Sequence, residues 1–131
     1  MELTGNDRKE IGSLGEKVAA EYLRRKGFHI VAMNVARKTG EIDVIAGKGN
    51  ELRFVEVKSI LCREFPDQAS AGDRYDPSAN LYPGKIRKVA RTAEWYVAET
   101  GWEGEWQVDG CLVWLRERDG HAWVEYLPQI V

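Results

Sequence analysis

Two acids, Asp43 and Glu56, and a lysine two places beyond the second, Lys58, fall in segments that read as neighbouring β-strands. Successive side chains on a strand point to opposite faces. In Gly40-Glu41-Ile42-Asp43-Val44-Ile45-Ala46, Glu41 and Asp43 therefore share one face, and Ile42, Val44 and Ala46 share the other. In the next strand Val55 and Val57 line one face, while Glu56 and Lys58 follow Leu52 and Phe54 on the opposite one. An apolar strand thus ends in an acid and a base side by side. Burying such groups without partners would cost several kcal/mol, so they must compensate one another or stand at an accessible site. Paired through the glycine turn at 47–50, the strands would bring Asp43 and Glu56 together. Two carboxylates of this kind suit Mg²⁺ or Mn²⁺, with waters and phosphate oxygens completing the shell. Lys58 would orient or deprotonate an attacking water and neutralise phosphate charge. The same residues admit a plainer reading, a Glu56-Lys58-Asp43 ion network that fixes strand register. An E-x-K on a strand does not decide between them; its combination with G-E-I-D and an acid-bearing helix favours the site.

The elements that must position these groups follow from periodicity and punctuation. Ile11, Leu14, Val18 and Tyr22, with Ala19 and Leu23 beside them, predict an amphipathic helix over Arg8–Lys26, with Asp7 and Glu10 as a capping arrangement and Gly27 as the stop. Strands are predicted at Phe28–Asn34, Glu41–Ala46 and Glu51–Lys58. Residues Ile60–Pro83 carry several prolines and no sustained period, which predicts a long loop. A second helix over Gly84–Glu99 buries Ile86, Val89, Ala90, Ala93 and Val97 and ends at Gly101. Strands return at Glu105–Leu115 and His121–Leu127 around Asp119-Gly120. The order is α-β-β-β-α-β-β within one α/β domain spanning residues 1–131.

At 131 residues, 44% hydrophobic and 31% charged, the chain is expected to be one folded unit. It has no apolar run of about 20 residues and no signal-like N-terminus, so no membrane association and a cytoplasmic location are expected. Cys62 and Cys111 form no metal pair, and His29 and His121 lack zinc-ligand spacing, so any metal should be oxygen-bound. The net charge of −2 lacks the basic signature of a tight nucleic-acid binder. Positive charge is nevertheless clustered, at Arg24-Arg25-Lys26, at Arg37 and Lys38, and at Lys85, Arg87, Lys88 and Arg91.

Gly15-Glu16 with Ala19 and Leu23, Lys26-Gly27-Phe28, Asn34, Gly40–Ala46 and Phe54-Val55-Glu56-Val57-Lys58 resemble the signature of the YraN-like family. Asp76-Pro77, Lys85-Ile86-Arg87-Lys88 and Gln107-Val108-Asp109 extend the resemblance over nearly the full chain. That family is largely uncharacterised, is predicted to have the PD-(D/E)XK nuclease fold, and is similar in its N-terminal half to archaeal Holliday-junction resolvases. The resemblance implies a restriction-endonuclease-like fold, with a central mixed β-sheet flanked by helices. It puts Asp43 in the place of the motif aspartate, Glu56 and Lys58 in those of the E-x-K pair, and Glu16 in that of the acid on the first helix. By analogy with the resolvases it also implies a homodimer. One departure stands out: the family commonly follows V-E-V-K with a small hydroxyl residue and an arginine, whereas Ile60 follows Ser59 here.

Lys85, Lys88 and Arg91 recur every three residues on the second helix, away from its apolar stripe, and form a basic stripe for phosphate. Five tryptophans could stack on bases, but their helix and strand positions point to core or partner contacts. The expected function is a Mg²⁺-dependent, structure-selective endonuclease acting on branched DNA in repair or recombination. The alternative is a non-catalytic nucleic-acid-binding or protein-interaction module that keeps the fold.

Overall fold

The computed structural model describes residues 8–66 and 81–131. Its elements are α1 (Arg8–Arg25), β1 (His29–Arg37), β2 (Gly40–Lys48), β3 (Glu51–Cys62), α2 (Pro83–Thr100), β4 (Glu105–Arg116) and β5 (Ala122–Leu127). This is the predicted order. The strands form one five-stranded sheet in sequence order β1-β2-β3-β4-β5. Its pairs are antiparallel except β3 with β4, which run parallel from Glu51↔Glu105 to Cys62↔Arg116. A parallel pair needs a crossover, and α2 lies in the connection between these two strands.

Strand alternation sorts the core into two layers. Val44, Ala46, Val55, Val57, Cys111, Val113 and Leu115 face α1, where Ala19 and Leu23 are buried and Ile11, Leu14, Val18 and Tyr22 pack around them. Ile45, Leu52, Phe54 and Val108 face α2 and meet Val89 and Ala93. Both helical stripes are those the sequence periodicity predicts, apart from Ile86, which lies outside the α2 cluster. α2 ends where Gly101 turns left-handed at φ 68° and returns its N–H to Val97.

Several boundaries differ from those predicted. β3 continues past Lys58 to Cys62, because Ile60, Leu61 and Cys62 stay in the parallel ladder with Trp114, Leu115 and Arg116. β1 passes beyond Asn34 to Arg37. The β2–β3 turn narrows to Gly49-Asn50, with Gly49 at φ 57°. Ile42 does not share a face with Val44 and Ala46; it packs in the α2 layer with Ile45, so alternation breaks around Asp43. Asp7, Asp76-Pro77 and most of the predicted 60–83 loop lie outside the described residues. No helix among the described residues is long and apolar enough to cross a membrane.

Candidate active site

The β2–β3 ladder runs from Lys48↔Glu51 to Val44↔Val55 and stops there. One residue further along each strand stand Asp43 and Glu56. At this point a side chain ties the strands together, as Asp43 Oδ2 accepts the Val57 N–H at 2.8 Å. The charge of Glu56 acts on Asp43, so the two carboxylates meet where the ladder opens.

The other side of β2 is shaped by Asn34, which β1 places across from Asp43, between the pairs Met33↔Val44 and Val35↔Ile42. Asn34 has φ 53°, a left-handed conformation that asparagine tolerates better than most residues. Its side chain lies near enough to Glu16 of α1 to lower the pKa of that carboxyl. α1 can come this close because position 15 is glycine: a Cβ there would collide with the side chain of Ser59 on β3. Gly15 thus sets the depth at which Glu16 sits.

The electrostatics are those of acids short of positive charge. Glu56 is only 2% exposed, and its one cation partner among the described residues is Lys85 of α2. Partial burial pulls the Lys85 ammonium down, but the Glu56 hydrogen bond and the charges of Glu56, Asp43 and Glu41 outweigh it and raise its pKa. One ammonium cannot neutralise two carboxylates. Burial and then the charge of Glu56 push Asp43 up to about 7, against the Val57 N–H and Lys85, which lower it. Glu16 is also raised, first by burial and then by Asp43, with the Asn34 side chain opposing.

Two adjoining hollows open on this cluster. One, of about 640 Å³, is lined by Glu16, Asp43, Lys58, Ser59 and Lys85, among others; the second, of about 570 Å³, by Glu41, Asp43, Glu56, Lys85 and Lys88, among others. Asp43 and Lys85 belong to both. The residues singled out in the sequence as Asp43, Glu56, Lys58, Glu16 and Glu41 therefore surround one continuous groove. Lys58 is exposed and makes no ion pair among the described residues, so the Glu56-Lys58-Asp43 network does not form. The cation on Glu56 comes from the crossover helix.

A hard divalent ion suits this donor set. The pair offers oxygen donors only, burial and the charge of Glu56 raise the pKa of Asp43, and Mg²⁺ commonly takes one or two carboxylates while keeping waters. Among the described residues no three acidic, histidine or cysteine side chains gather tightly enough to enclose an ion. The fit is to an open site, with Asp43 and Glu56 as ligands, rather than to a closed cage.

A model of the uncharacterised protein family UPF0102 matches residues 15–113, a span that includes every residue of this cluster. The chain belongs to that family. It is similar to a UPF0102 protein of Desulfosudis oleivorans, 34% identical over 99 residues that cover 76% of this chain and 73% of the relative. A Symbiobacterium thermophilum member is 40% identical over 96 residues, covering 72% and 73%. One from Syntrophotalea carbinolica is 32% identical over 123 residues, covering 92% and 90%. The YraN-like resemblance is thereby established.

Asp109, also within the UPF0102 match, is a second buried aspartate with the opposite surroundings. It accepts from Arg53 Nη1 at 3.1 Å, Gln107 Nε2 at 2.7 Å, the Gln129 N–H at 2.8 Å and the Tyr126 hydroxyl. Four donors saturate it, so it ties β3, β4, β5 and the segment after β5 together and offers nothing to a ligand. Lys85, by contrast, joins the acid groove, a role the helical stripe did not indicate. Its distance of 29 residues from Glu56 hides the pairing from any local pattern. Of the other cations, Arg37 is held by Glu99 at 2.9 Å, while Lys38, Lys88 and Arg91 are exposed and make no ion pair among the described residues.

Proposed function

We propose that this chain binds nucleic acid and hydrolyses phosphodiester bonds in branched DNA, with Mg²⁺ or Mn²⁺ as cofactor, in repair or recombination. The observation that supports this reading is the Asp43–Glu56 pair, two adjoining carboxylates sharing a single lysine where a strand pair opens into a groove. Asp43 and Glu56 would hold the ion, which when bound supplies charge neutralisation at phosphate and a more acidic water. Asp43 would bind it as the carboxylate, so a raised pKa at this residue would make metal binding favour higher pH. Lys58, at the mouth of the groove, would neutralise the scissile phosphate and hydrogen-bond the attacking water. Glu16 would accept a proton from that water, and its raised pKa fits the task. Glu41 lines the other hollow and adds negative charge beside Lys85 and Glu16. Two such sites in a homodimer would match the two equivalent strands of a four-way junction.

The Lys85–Glu56 ion pair favours a second reading, a non-catalytic binding module whose acids are already partnered. Cleavage of labelled four-way junctions and linear duplexes should be followed with Mg²⁺, Mn²⁺ and EDTA, beside calorimetric titration of Mn²⁺. The nuclease reading expects metal-dependent cutting of the junction, lost in Asp43→Asn and Glu56→Gln. No cleavage of any substrate, with equal metal binding by wild type and an Asp43→Ala, Glu56→Ala double variant, would leave the binding module.

A further inference from the structure

The five tryptophans have different fates. Trp114 is buried, Trp102 and Trp106 pack against the α2 layer, and Trp123 lies edge-on to Phe65. Trp95 alone among them stands out, 56% exposed on α2. It lines a hollow of about 410 Å³ with Arg37, Lys38, Thr39 and Glu99. Glu99 carries no uncompensated charge there, because Arg37 donates to both of its carboxylate oxygens. Lys38 is then the unpaired charge among the hollow's lining residues. Tyr82, 65% exposed at the other end of α2, lines the acid groove.

The acid groove and the Trp95 hollow are both lined by residues at the β1–β2 connection and by α2. Thr39 belongs to the hollow and Gly40 to the groove, and the two residues are consecutive. Thr39 hydrogen-bonds Thr92 of α2 at 2.7 Å, and Thr92 Oγ1 in turn donates to the Lys88 carbonyl at 2.8 Å. A Cβ at Gly40 would come within 3.3 Å of Thr92 Oγ1 and 3.4 Å of Lys88 Cβ, so this backbone lies tight against the helix. Lys88 and Trp95, seven residues apart, fall on the same side of α2, about 10 Å apart along its axis. The order along this flank is acid pair, Lys85, Lys88, then Trp95 beside Lys38. Single-stranded nucleic acid is held by such an alternation, cations following phosphates and an aromatic face taking a base.

We infer that the Trp95 hollow receives an unpaired base of a nucleic-acid strand whose phosphates run along Lys88 and Lys38 from the acid groove. This inference rests on the nuclease reading for its substrate and narrows it: among branched DNAs, the substrate is one that carries a single-stranded tract a few nucleotides from the bond cut, in preference to a fully paired four-way junction. Trp95 is a stacking platform, contacts no reacting group, and gives the site its preference for unpaired over paired DNA.

The test uses the full chain in EDTA, so that binding is separated from cleavage. Anisotropy of labelled single strands, fully paired duplex and a duplex with a single-stranded tail should be measured for wild type, Trp95→Ala and Trp95→Phe. Trp95→Ala is expected to weaken single-strand and tailed binding about tenfold, to leave the duplex unchanged, and to keep the salt slope, because a stacked base releases no counterions. Trp95→Phe should retain most of the affinity, whereas Lys38→Glu with Lys88→Glu should reduce the salt slope. Equal loss on duplex and single strand, no loss on either, or no single-strand binding by wild type overturns the inference. A loss confined to self-association, seen by sedimentation, overturns it in favour of a contact between copies. If wild type cuts no substrate yet Trp95→Ala selectively loses single-strand binding, the nuclease reading fails and the stacking site stands.

Discussion

Lys85 of α2 donates to Glu56 Oε1 on β3, so the one described counter-ion of the most buried acid in the groove comes from the crossover helix. Removing it strands a carboxylate that is 3% exposed. Breaking a fully buried pair costs roughly 3–5 kcal/mol, but the Lys85 side chain is 53% exposed and water can replace part of it. Lys85→Met is therefore expected to lower stability by roughly 1–2 kcal/mol, and Lys85→Met with Glu56→Gln to recover most of that. Urea denaturation of the two single variants and the double one measures the coupling. Additive losses would mean that the pair is not the source of the cost.

Asp43 gives stability a pH dependence of definite sign. Its folded-state pKa, about 7, lies above the ordinary 3.8, so the folded chain binds the proton more tightly than the unfolded one. The contribution is fully present below about 3.8 and is lost as pH rises through about 7. Stability should fall over that window in wild type and fall less in Asp43→Asn, which keeps an acceptor for the Val57 N–H without the charge. Thermal denaturation from pH 4 to 8 reads this directly. A steeper fall in Asp43→Asn would place the proton on another group.

Gly15 and Ser59 should be coupled with a change of sign. Alanine is a better helix former than glycine by about 1 kcal/mol, so Gly15→Ala would ordinarily stabilise α1. Opposite Ser59 the new Cβ has no room, as Ser59 Cβ would lie 3.0 Å away even after the hydroxyl rotates aside. Gly15→Ala should destabilise the wild-type chain by roughly 1–2 kcal/mol and stabilise Ser59→Gly. Gly15→Ala should also lower any cleavage activity, because Glu16 moves with the helix. Stabilisation in both backgrounds would show that α1 shifts freely.

What the sequence disclosed and what it hid divide by the range of the contact. Both helical stripes, the order of elements along the chain and the meeting of Asp43 with Glu56 across the glycine turn rest on local period and turn chemistry, and they are legible without coordinates. Lys85 on Glu56, Asn34 on Glu16 and Gly15 against Ser59 join elements far apart in the chain, and no period reports such pairs. Asn34 did carry a signal, a turn-favouring residue at the predicted end of a strand, which is how a left-handed position announces itself. The break in alternation at Ile42 follows from the same irregularity, because strand parity holds only while the pleat is regular.

Lys58 separates the two functional readings most sharply, since it lies two residues beyond Glu56 on the same strand yet holds no acid among the described residues. A lysine that neutralised buried carboxylates would cost several kcal/mol to remove. An exposed one with no ion pair should cost about 0.5 kcal/mol or less. Lys58→Ala and Lys58→Met are therefore expected to unfold with nearly unchanged midpoints and to bind Mn²⁺ about as tightly as wild type. Metal-dependent cleavage of branched DNA should nevertheless fall at least about a hundredfold, the usual effect of losing a group that assists proton transfer. Stability, metal affinity and cleavage should be measured on the same preparations, so that a poorly folded sample is not mistaken for an inactive one. Unchanged cleavage in both variants would remove Lys58 from the reaction. A large loss of stability would instead return the plainer reading of the E-x-K strand, with Lys58 in a structural role.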